Sequence, residues 1–593
     1  MRLIRIEIEN FKGIGCRQRI DLRPITLLFG PNSAGKSTIL QALHYLREIL
    51  ERGNVDPDRT IAGGLIDLGG FATLVHNHEL DRTVSLKVVL DLSDEQGAEG
   101  LPLNTGFSID EPDFIELPLR YLIGESEEYC DYTIVQNVGL EVNIRWSALQ
   151  QAPYVSHLAI EMDGEPLAAI VSPPVEGRAQ LTDFNFCHPL LRRAMRPDDI
   201  QDDGDEDLAA GSPLKDEIWS LAREAVADRS TPDTPDDQLR ITVDTVFAAL
   251  PDFNDSIEFE WVDFDEKEIQ GRTPELSRDD NHLPEYLLSS LEQLHSKISV
   301  DTEHARRSGL TKLLNELILG PARLVRDHLM QMTYIGPLRD IPTRSYRPQA
   351  SPDETRWSHG LAAWDLLYND RRGDLMEEVN VWLSGEERLR TTYRLERVEF
   401  KEIPVPSAMH QMFERGLNED DIGELQELYL SLATRTEIAL RDFEKGILVA
   451  PGDVGVGISQ MVPVIVASLR KQDGVLGIEQ PELHVHPAIQ VGMGDLFIKA
   501  ATGDEDKLTS GKTLLIETHS EHIILRLLRR VREQTEGEVP PGVLGLTPDD
   551  LSVIYIESSV EGVRFRPLRV SPDGDFLDRW PHGFFAERAE ELF

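Results

Sequence analysis

A glycine-rich segment that ends in lysine and two hydroxyl residues carries the clearest chemistry in the sequence. Residues 30–38 read GPNSAGKST. Glycines at this spacing let successive backbone N–H groups point at phosphate oxygens, and a helix that starts there adds partial positive charge. We expect Lys36 to contact the β- and γ-phosphates, Ser37 to bind Mg²⁺ and Thr38 to contact a phosphate. The segment predicts ATP and Mg²⁺ as cofactors, held by Gly30, Pro31, Asn32, Ser33, Ala34, Gly35, Lys36, Ser37 and Thr38.

Two apolar runs that end in polar residues are expected to complete this site. A phosphate loop needs an acidic partner at the end of a neighbouring strand, and residues 474–479 read GVLGIE. Glu479 is therefore predicted to hold Mg²⁺ directly or through water. A second run, TLLIE, leads into Thr518-His519-Ser520. A histidine that leaves a central strand in this position is predicted to sense the γ-phosphate or to position the attacking water.

A third segment combines glycines, a serine and the start of a helix. Residues 453–460 read DVGVGISQ and precede the apolar run MVPVIVASL. This is a further candidate anion-binding helix start, about twenty residues before the acidic strand end. Its predicted nucleotide-contacting residues are Gly455, Gly457, Ser459 and Gln460.

The elements around these motifs predict an α/β fold. The run ITLLF before the loop reads as a strand, and Ile39, Leu43, Leu46 and Leu50 after it form one face of a helix. From 474 onward, strand patterns alternate with helical patterns, which favours a mostly parallel sheet. Between them, about 83–171 shows short β runs with a hairpin signal at Asp163-Gly164. We expect a phosphate-loop ATPase head with a mixed sheet, an antiparallel β subdomain and a helical insertion.

Five segments are predicted from these patterns. They are 1–80, an N-terminal ATPase lobe; 81–180, the antiparallel β subdomain; 181–440, a mainly helical insertion with acidic loops at 196–216 and 228–238; 441–545, a C-terminal ATPase lobe; and 546–593, a hairpin and tail. Helical patterns in the insertion lie at about 280–333, 360–384 and 420–444.

Composition narrows the class of protein. The chain has 593 residues, a formal net charge of −45 and three cysteines that form no CxxC pair. At this net charge the chain as a whole is repelled by nucleic acid, which argues against a protein that coats DNA non-specifically. A local track of basic residues would still be compatible with that charge. No run approaches the ~20 apolar residues of a membrane span, and the start MRLIRIEIEN is unlike a secretory signal. We therefore expect a cytoplasmic protein without a zinc site or disulfides.

The order of the motifs resembles the SMC/RecF/OLD branch of ABC-type ATPases. The matching segments are IEIENFKGI, GPNSAGKST, GVGISQ, GIEQPELHVHP and ETHS. Residues 334–339 (YIGPLR) and the tail WPHGFFAERAEELF are similar to phage-defence members, such as OLD nucleases and Septu-type ATPases. The resemblance covers roughly 1–80 and 330–593. It implies a dimer around ATP, in which one copy's phosphate loop faces Gly455, Gly457 and Ser459 of the other.

Two departures from that family affect the expected activity. Most members have a glutamate as catalytic base where this chain has Gln480; Glu482 would substitute, or His519 would position water alone. Slow hydrolysis is therefore expected. OLD enzymes also carry a metal-binding nuclease domain, but only about 70 residues follow His519, with Asp573-Gly574-Asp575 as their one DxD-like run. If nucleic acid is cut, we expect a separate effector to cut it, such as an HNH-type nuclease.

Three functions remain open at this point. The first is an ATP-switched homo-oligomer, at least a dimer, that regulates a partner effector in antiviral defence. The second is a RecF-like repair ATPase that binds DNA directly, for which the sequence offers two arginine clusters, one of Arg526, Arg529, Arg530 and Arg532 and one of Arg192, Arg193 and Arg196. The third is a scaffold that ATP stabilises without catalysis, which Gln480 favours.

Overall fold

A computed structural model describes most of both ends of the chain. The described residues are 1–60, 66–92, 101–102, 134–174, 180–185, 188, 243–245, 259–260, 318–343, 346–351, 353–418, 421–502, 512–559 and 562–579. The acidic loops at 196–216 and 228–238, most of the predicted helical stretch at 280–333, the arginines at 192–196 and the tail from 580 lie outside them. The chain divides into two compact units. The first consists of Met1–Asp21, Tyr45–Asp58 and Leu68–Met330, and the second of Leu22–His44, Arg59–Asp67 and Gln331–Phe593.

The first unit contains an antiparallel sheet of nine strands. Its strands are β1 (Arg2–Glu9), β2 (Gln18–Asp21), β4 (Val84–Asp91), β7 (Asn137–Ser147), β8 (Ala152–Met162), β9 (Glu165–Val171), β10 (Gln180–Phe184), β11 (Val243–Thr245) and β12 (Phe259–Glu260), in the order β12-β11-β10-β9-β8-β7-β4-β1-β2. β5 (Leu101–Pro102) and β6 (Ile134–Val135) form a separate pair. This unit also contains the part of helix α1 (Thr38–Arg52) from Tyr45 onward, the short helix α2 (Phe71–Leu74) and a helix over 318–330, α3.

The predicted β runs of this unit are confirmed where they are described. β8 and β9 are joined by Asp163 and Gly164, both with positive φ (51° and 83°), as the hairpin signal requires. Within the predicted β region at about 83–171, residues 114–123 (FIELPLRYLI) lie outside the described residues. The sheet also runs across the predicted boundary at residue 80, because β1 pairs directly with β4.

The second unit contains the sheet that carries the phosphate loop. Its strands are β3 (Ile25–Phe29), β13 (Thr333–Ile335), β17 (Val475–Glu479), β18 (Thr513–Glu517), β19 (Leu551–Ser559) and β20 (Gly562–Leu568), in the order β13-β17-β18-β3-β19-β20. The first five are parallel and β20 is antiparallel to β19. Every residue of β3, β17 and β18 is buried, which explains their uninterrupted apolar runs.

Helices and a small antiparallel sheet surround that sheet. The helices are α1 (Thr38–Arg52, in this unit up to His44), α4 (Leu361–Asn369), α5 (Asp374–Ser384), α6 (Ala408–Arg415), α7 (Ile422–Ser431), α8 (Val456–Leu469), α9 (Pro487–Thr502) and α10 (Glu521–Glu536). The small sheet consists of β14 (Tyr393–Lys401), β15 (Thr434–Asp442) and β16 (Ile447–Val449). α8 packs against α4, α5 and α9, and their apolar faces join the strands in one core.

The predicted fold class is confirmed, with one local correction. The fold is α/β, with a mixed sheet around the phosphate loop and an added antiparallel sheet. The predicted helix at 420–444 is wrong beyond Ser431. Residues Thr434–Asp442 form strand β15 because they pair along their full length with β14, a partner that lies far away in the sequence.

Candidate functional site

The glycine-rich segment forms the turn between β3 and α1, as the sequence predicts. β3 ends at Phe29 and α1 begins at Thr38, with the predicted helix face at Ile39 and Leu43 fully buried. Glycine is required at both ends of the turn. A Cβ on Gly30 (φ 154°) would lie 2.4 Å from the carbonyl oxygen of Ile556, and Gly35 has a φ of 95°. The backbone is therefore curled where neighbouring strands leave no room for a side chain.

Lys36 lies inside this turn and is almost fully buried. Its Nζ donates hydrogen bonds to the carbonyl oxygens of Pro31 (2.9 Å) and Gly30 (3.2 Å) and lies 3.8 Å from Oε1 of Glu517. Burial lowers the pKa of Lys36, and the charges of Glu517, Glu482 and Glu479 oppose that effect. The lysine is thus a buried cation facing carboxylates at one edge of the sheet.

Two strands present carboxylates at that edge, and only one of them was predicted as a site residue. Glu479 ends β17 and Glu517 ends β18, and the two are Cα partners in the parallel ladder. β18 lies between β17 and the phosphate-loop strand β3. The expectation that Glu479 ends the strand next to β3 is therefore wrong, because sequence shows which strands exist but not their order. The neighbouring strand end belongs to Glu517.

Glu517 contacts the predicted metal-binding serine directly. The Ser37 hydroxyl donates to Oε2 of Glu517 at 2.7 Å. Burial, together with the charge of Glu517, raises the pKa of Glu479 to about 7, although the nearby hydroxyls of Tyr334 and Ser37 and the charge of Lys36 oppose the shift. Two buried carboxylates lie beside a serine hydroxyl, and a bound cation would neutralise their negative charge. Mg²⁺ usually takes one or two protein carboxylates and completes its shell with phosphate and water oxygens, so these residues fit it.

The turn after β17 links the two strand ends. The backbone N–H of Gln480 donates to the carbonyl oxygen of Glu517 at 2.8 Å. Glu482 accepts from the Thr518 hydroxyl and from the backbone N–H of His519, each at 2.7 Å. Both carboxylate oxygens of Glu482 thus hold the segment that carries His519. This arrangement suits a positioning role for Glu482 better than the predicted role of substitute base.

His519 lies half-buried at the start of the segment after β18. Burial lowers its pKa, and the charge of Lys36 adds to the effect. A neutral imidazole close to the lysine of the phosphate loop is compatible with the predicted contact to a γ-phosphate or a water molecule. The structure thus brings Lys36, Glu479, Gln480, Glu482 and His519 to one edge of the sheet.

The predicted residues at the start of α8 lie in two different environments. Gly455 is exposed at the N-terminus of the helix, and Val456 is 47% exposed. Ser459, by contrast, is fully buried, and its hydroxyl donates to the carbonyl oxygen of Pro451 at 2.6 Å. That position does not fit the predicted contact of Ser459 with a γ-phosphate of another copy. Gln460 is also buried and donates to the carbonyl oxygen of Arg339 at 3.3 Å.

Three residues at this edge were missed as site residues from sequence. Glu517 had a usable signal, since TLLIE ends in glutamate just as GVLGIE does. Tyr334 and Arg339 come from β13 and the segment after it. Tyr334 hydrogen-bonds Glu479, and Nη2 of Arg339 donates to the carbonyl oxygen of Glu479 at 2.6 Å. Residues 334–339 are singled out in the sequence only by their resemblance to a family, because nothing local in them indicates contact with β17.

The arginines of α10 that suggested a DNA-binding track are largely neutralised within the chain. Arg530 is buried and donates to Asp495 at 2.7 Å and to Glu533. Arg529 pairs with Glu533 at 2.6 Å, and Arg526 lies 3.6 Å from Asp495. Three of the four arginines thus face internal carboxylates, which removes most of the charge that phosphate contacts would need.

Neither a cluster of metal-ligating side chains nor a membrane span is found in the described part of the chain. Asp573, Gly574 and Asp575 form a turn in which the carbonyl oxygen of Asp575 accepts from the backbone of Ser571. Among the described residues, no group of three or more His, Cys, Asp or Glu is placed to hold a metal ion. Within the same residues, no helix is both long and apolar enough to cross a bilayer.

Two segments of the chain match families of ATPase domains. Residues 1–84 match the family described as "AAA ATPase domain", and residues 231–525 match "AAA domain, putative AbiEii toxin, Type IV TA system". The first covers β3, the phosphate loop and α1, and the second covers Glu479, Glu517 and His519. Among curated proteins, none matches the chain. The sequence is thus similar to AAA ATPase domains on both sides of the candidate site.

Solved structures of SMC heads share a distant likeness. An Smc head bound to the C-winged helix domain of ScpA is 8% identical, with 96% of this chain and 98% of that chain covered and a TM-score of 0.33. An Smc head with an extended coiled coil, bound to the C-terminal domain of ScpA from Pyrococcus furiosus, is 10% identical, with 100% and 98% covered and a TM-score of 0.32. The SMC head domain from Thermotoga maritima is 9% identical, with 96% and 100% covered and a TM-score of 0.32.

Proposed function

We propose that this chain binds ATP at the β3–α1 turn and hydrolyses it slowly. The observation that carries the proposal is the convergence of Lys36, Ser37 and the carboxylates Glu479, Glu517 and Glu482 at the carboxyl edge of one parallel sheet. Ligands of open α/β sheets bind at that edge, and a phosphate chain beside Lys36 would find both a cation and curled backbone N–H groups. The two matched AAA ATPase segments support the same reading.

Each residue has a distinct part in this site. The N–H groups of the turn and Lys36 hold the phosphates, and Thr38 adds a hydroxyl at the start of α1. Ser37 and Glu479 would hold Mg²⁺, with Glu517 beside them, and Lys36 stays cationic among three carboxylates. When bound, Mg²⁺ neutralises charge that develops on the phosphate oxygens. His519 orients water or contacts the terminal phosphate, and Glu482 fixes its position.

Slow turnover follows from the groups that surround the attacking position. Gln480 is an amide and cannot take up a proton at neutral pH. Glu482, the next carboxylate after Gln480, has each oxygen engaged by Thr518 or His519. We expect steady-state turnover below about 10 s⁻¹, the typical value for enzymes. A long-lived ATP-bound state would then be the active form.

The ATP-bound state is proposed to be a dimer that regulates an effector. Exposed Gly455 and the N-terminus of α8 offer backbone N–H groups that a second copy's nucleotide could use, with Gly457 behind them. The matched family name that mentions a putative toxin of a type IV TA system supports a role in antiviral defence. The proposed effector is a separate protein, such as an HNH-type nuclease, and the proposed location is the cytoplasm.

A scaffold function is the second candidate, and Gln480 favours it. In that case ATP would bind and stabilise the dimer without being consumed. A RecF-like DNA-binding function is less well supported by the described residues, because Asp495 and Glu533 neutralise the arginines of α10. Salt-dependent binding of the purified chain to duplex DNA would revive it.

Turnover and native mass together test the proposal. Wild type should release phosphate measurably but below about 10 s⁻¹, and its mass should double when ATP is added. Lys36→Ala should abolish both effects, whereas the matched change Lys499→Ala on α9 should leave them intact. Turnover above that rate would contradict slow hydrolysis. A mass that ATP does not change would contradict the dimer, and ATP binding without phosphate release would select the scaffold.

A further inference from the structure

The start of α8 touches the turn after β17 with no space between them. A Cβ placed on Gly457 would lie 2.2 Å from the carbonyl oxygen of His484 and 3.0 Å from its carbonyl carbon. Gly452, five residues earlier in the same segment, has open space at its Cβ position. The first turn of α8 therefore rests directly on the backbone of residues 480–485, which we call the Gln480 turn.

Arg339 makes a second connection between the same two elements. It is only 3% exposed, and its Nη2 donates to the carbonyl oxygens of Glu479 (2.6 Å) and Gln480 (3.1 Å). Its own carbonyl oxygen accepts from Nε2 of Gln460, in the second turn of α8. One residue thus binds the helix on one side and the Gln480 turn on the other.

The Gln480 turn has a backbone that needs such support. Gln480 and His484 have φ values of 45° and 63°, in the left-handed region that side chains disfavour. Such a conformation is unfavourable for a residue with a side chain and persists only where its surroundings hold it. Gln480 is held by Arg339, by the carbonyl oxygen of Glu517 and, within the turn, by the N–H of Leu483 (3.2 Å). The backbone of His484 packs closely against Gly457.

Charge strengthens the role of Arg339. Burial lowers its pKa to about 10, and the charges of Glu482 and Glu479 oppose that effect, so the guanidinium remains a cation at neutral pH. A buried guanidinium beside Glu482 and Glu479 balances part of the negative charge of the strand ends. Both bonds come from Nη2, at the end of a side chain that is one bond longer than that of lysine, so a lysine ammonium would not reach the same two oxygens with the same geometry.

We propose that Arg339 is a positioning residue that joins the start of α8 to the Gln480 turn, so that the two move as one unit. Contact with the exposed start of α8, by a second copy in the proposed dimer, then changes where Gln480 and Glu482 stand and thereby sets the rate of hydrolysis. The affinity for ATP is set elsewhere, by the phosphate loop. This inference rests on the proposed ATPase function and adds its regulation to it.

A pair of glycine substitutions tests the connection. Gly457→Ala should lower kcat about 10-fold or more, because its methyl group displaces the His484 carbonyl, while the Kd for a fluorescent ATP analogue changes less than about 3-fold. Gly452→Ala adds the same methyl group to open space and should leave both values unchanged. Rates are normalised to nucleotide-binding sites, so a fraction of unfolded protein does not alter kcat.

Arg339→Lys provides a second variant that keeps the charge. Like Gly457→Ala, this variant should have a lower kcat and an unchanged affinity for ATP. The double variant Arg339→Lys/Gly457→Ala should have a kcat no lower than that of the slower single variant, because both changes break the same connection. Equal kcat in Gly457→Ala, Gly452→Ala and wild type would overturn the inference, as would ATP affinity that falls in step with kcat. Wild type that binds no ATP would instead overturn the proposed function.

Discussion

Strands β17 and β18 end in the same residue type side by side, yet their two glutamates have different surroundings. Glu517 faces the phosphate loop, where it accepts from Ser37 and lies 3.8 Å from Lys36. Glu479 faces the opposite neighbour, β13, where Tyr334 hydrogen-bonds its carboxylate and Arg339 binds its carbonyl. We propose that the two glutamates differ accordingly: Glu517 supports the loop that would hold the phosphates, and Glu479 combines its proposed role as Mg²⁺ ligand with a contact to the turn that carries Gln480.

The largest expected difference is in turnover. Glu479→Gln should lower turnover at least about 100-fold, because a charged metal ligand contributes several kcal/mol to the transition state. Glu517→Gln should lower it about 10-fold, because an amide oxygen still accepts from Ser37 but no longer balances Lys36. Phosphate release at varied Mg²⁺ measures both, with Glu536→Gln on α10 as control. Unchanged turnover in Glu517→Gln would reduce that residue to a structural partner of Ser37.

Stability against pH gives the second expected difference. The pKa of Glu479 is raised to about 7, mainly by burial, so the folded state holds its proton more tightly than the unfolded state does. The free energy of unfolding should therefore fall as pH rises from about 4.5 to 7. The Glu479→Gln variant has no carboxyl group to ionise, so its free energy of unfolding should not fall in this way. Above pH 7 it should exceed that of wild type by at most about 3 kcal/mol, and near pH 4 the two should be equal.

Urea denaturation in the presence of a chelator measures this effect without a metal ion. Glu517→Gln serves as the comparison, because it removes the neighbouring charge and should also stabilise the protein at high pH, by a smaller amount. A difference between Glu479→Gln and wild type that does not vary with pH would contradict the account of Glu479.

Features of the fold and the site could be predicted from sequence where they depend on residues close together in the chain. The phosphate loop, the buried face of α1, the hairpin at Asp163-Gly164 and the strand ending at Glu479 follow from nearby residues, and the structure has all of them. Glu517 was overlooked because only strand order reveals which acidic strand end meets the loop. Strand β15 was mistaken for helix because its partner β14 lies more than thirty residues away. A nucleotide contact is predicted for Ser459 although its side chain is buried, because the spacing of glycines and serine in the sequence does not show burial.

The link between the two strand ends should have a moderate effect. Glu482→Gln and Thr518→Val each break one contact between the Gln480 turn and the His519 segment, and each should slow turnover about 10-fold. The double variant should be no slower than the slower single one, because both changes break the same connection. If Glu482 were the base, Glu482→Gln would instead cost at least about 100-fold and Thr518→Val almost nothing.

The smallest expected effect concerns the β13 side of Glu479. Tyr334→Phe removes the hydroxyl that hydrogen-bonds the Glu479 carboxylate, worth about 1 kcal/mol. The Mg²⁺ concentration for half-maximal turnover should rise a few-fold, and the pKa of Glu479 should move further upward. Tyr368→Phe, which changes a tyrosine outside the site, is the control. An unaltered Mg²⁺ requirement in Tyr334→Phe would show that Glu479 is oriented without the hydroxyl.

Calorimetric titration of ATP with Mg²⁺ into the chain tests the central claim most directly, because every role above depends on ATP binding beside Lys36. Wild type should bind one ATP per chain, and Lys36→Ala should lose at least about 10-fold in affinity, as expected when a charged hydrogen-bond donor to phosphate is removed. Lys499→Ala should bind as wild type does. Absence of binding in wild type, or equal affinity in wild type and Lys36→Ala, would contradict the account.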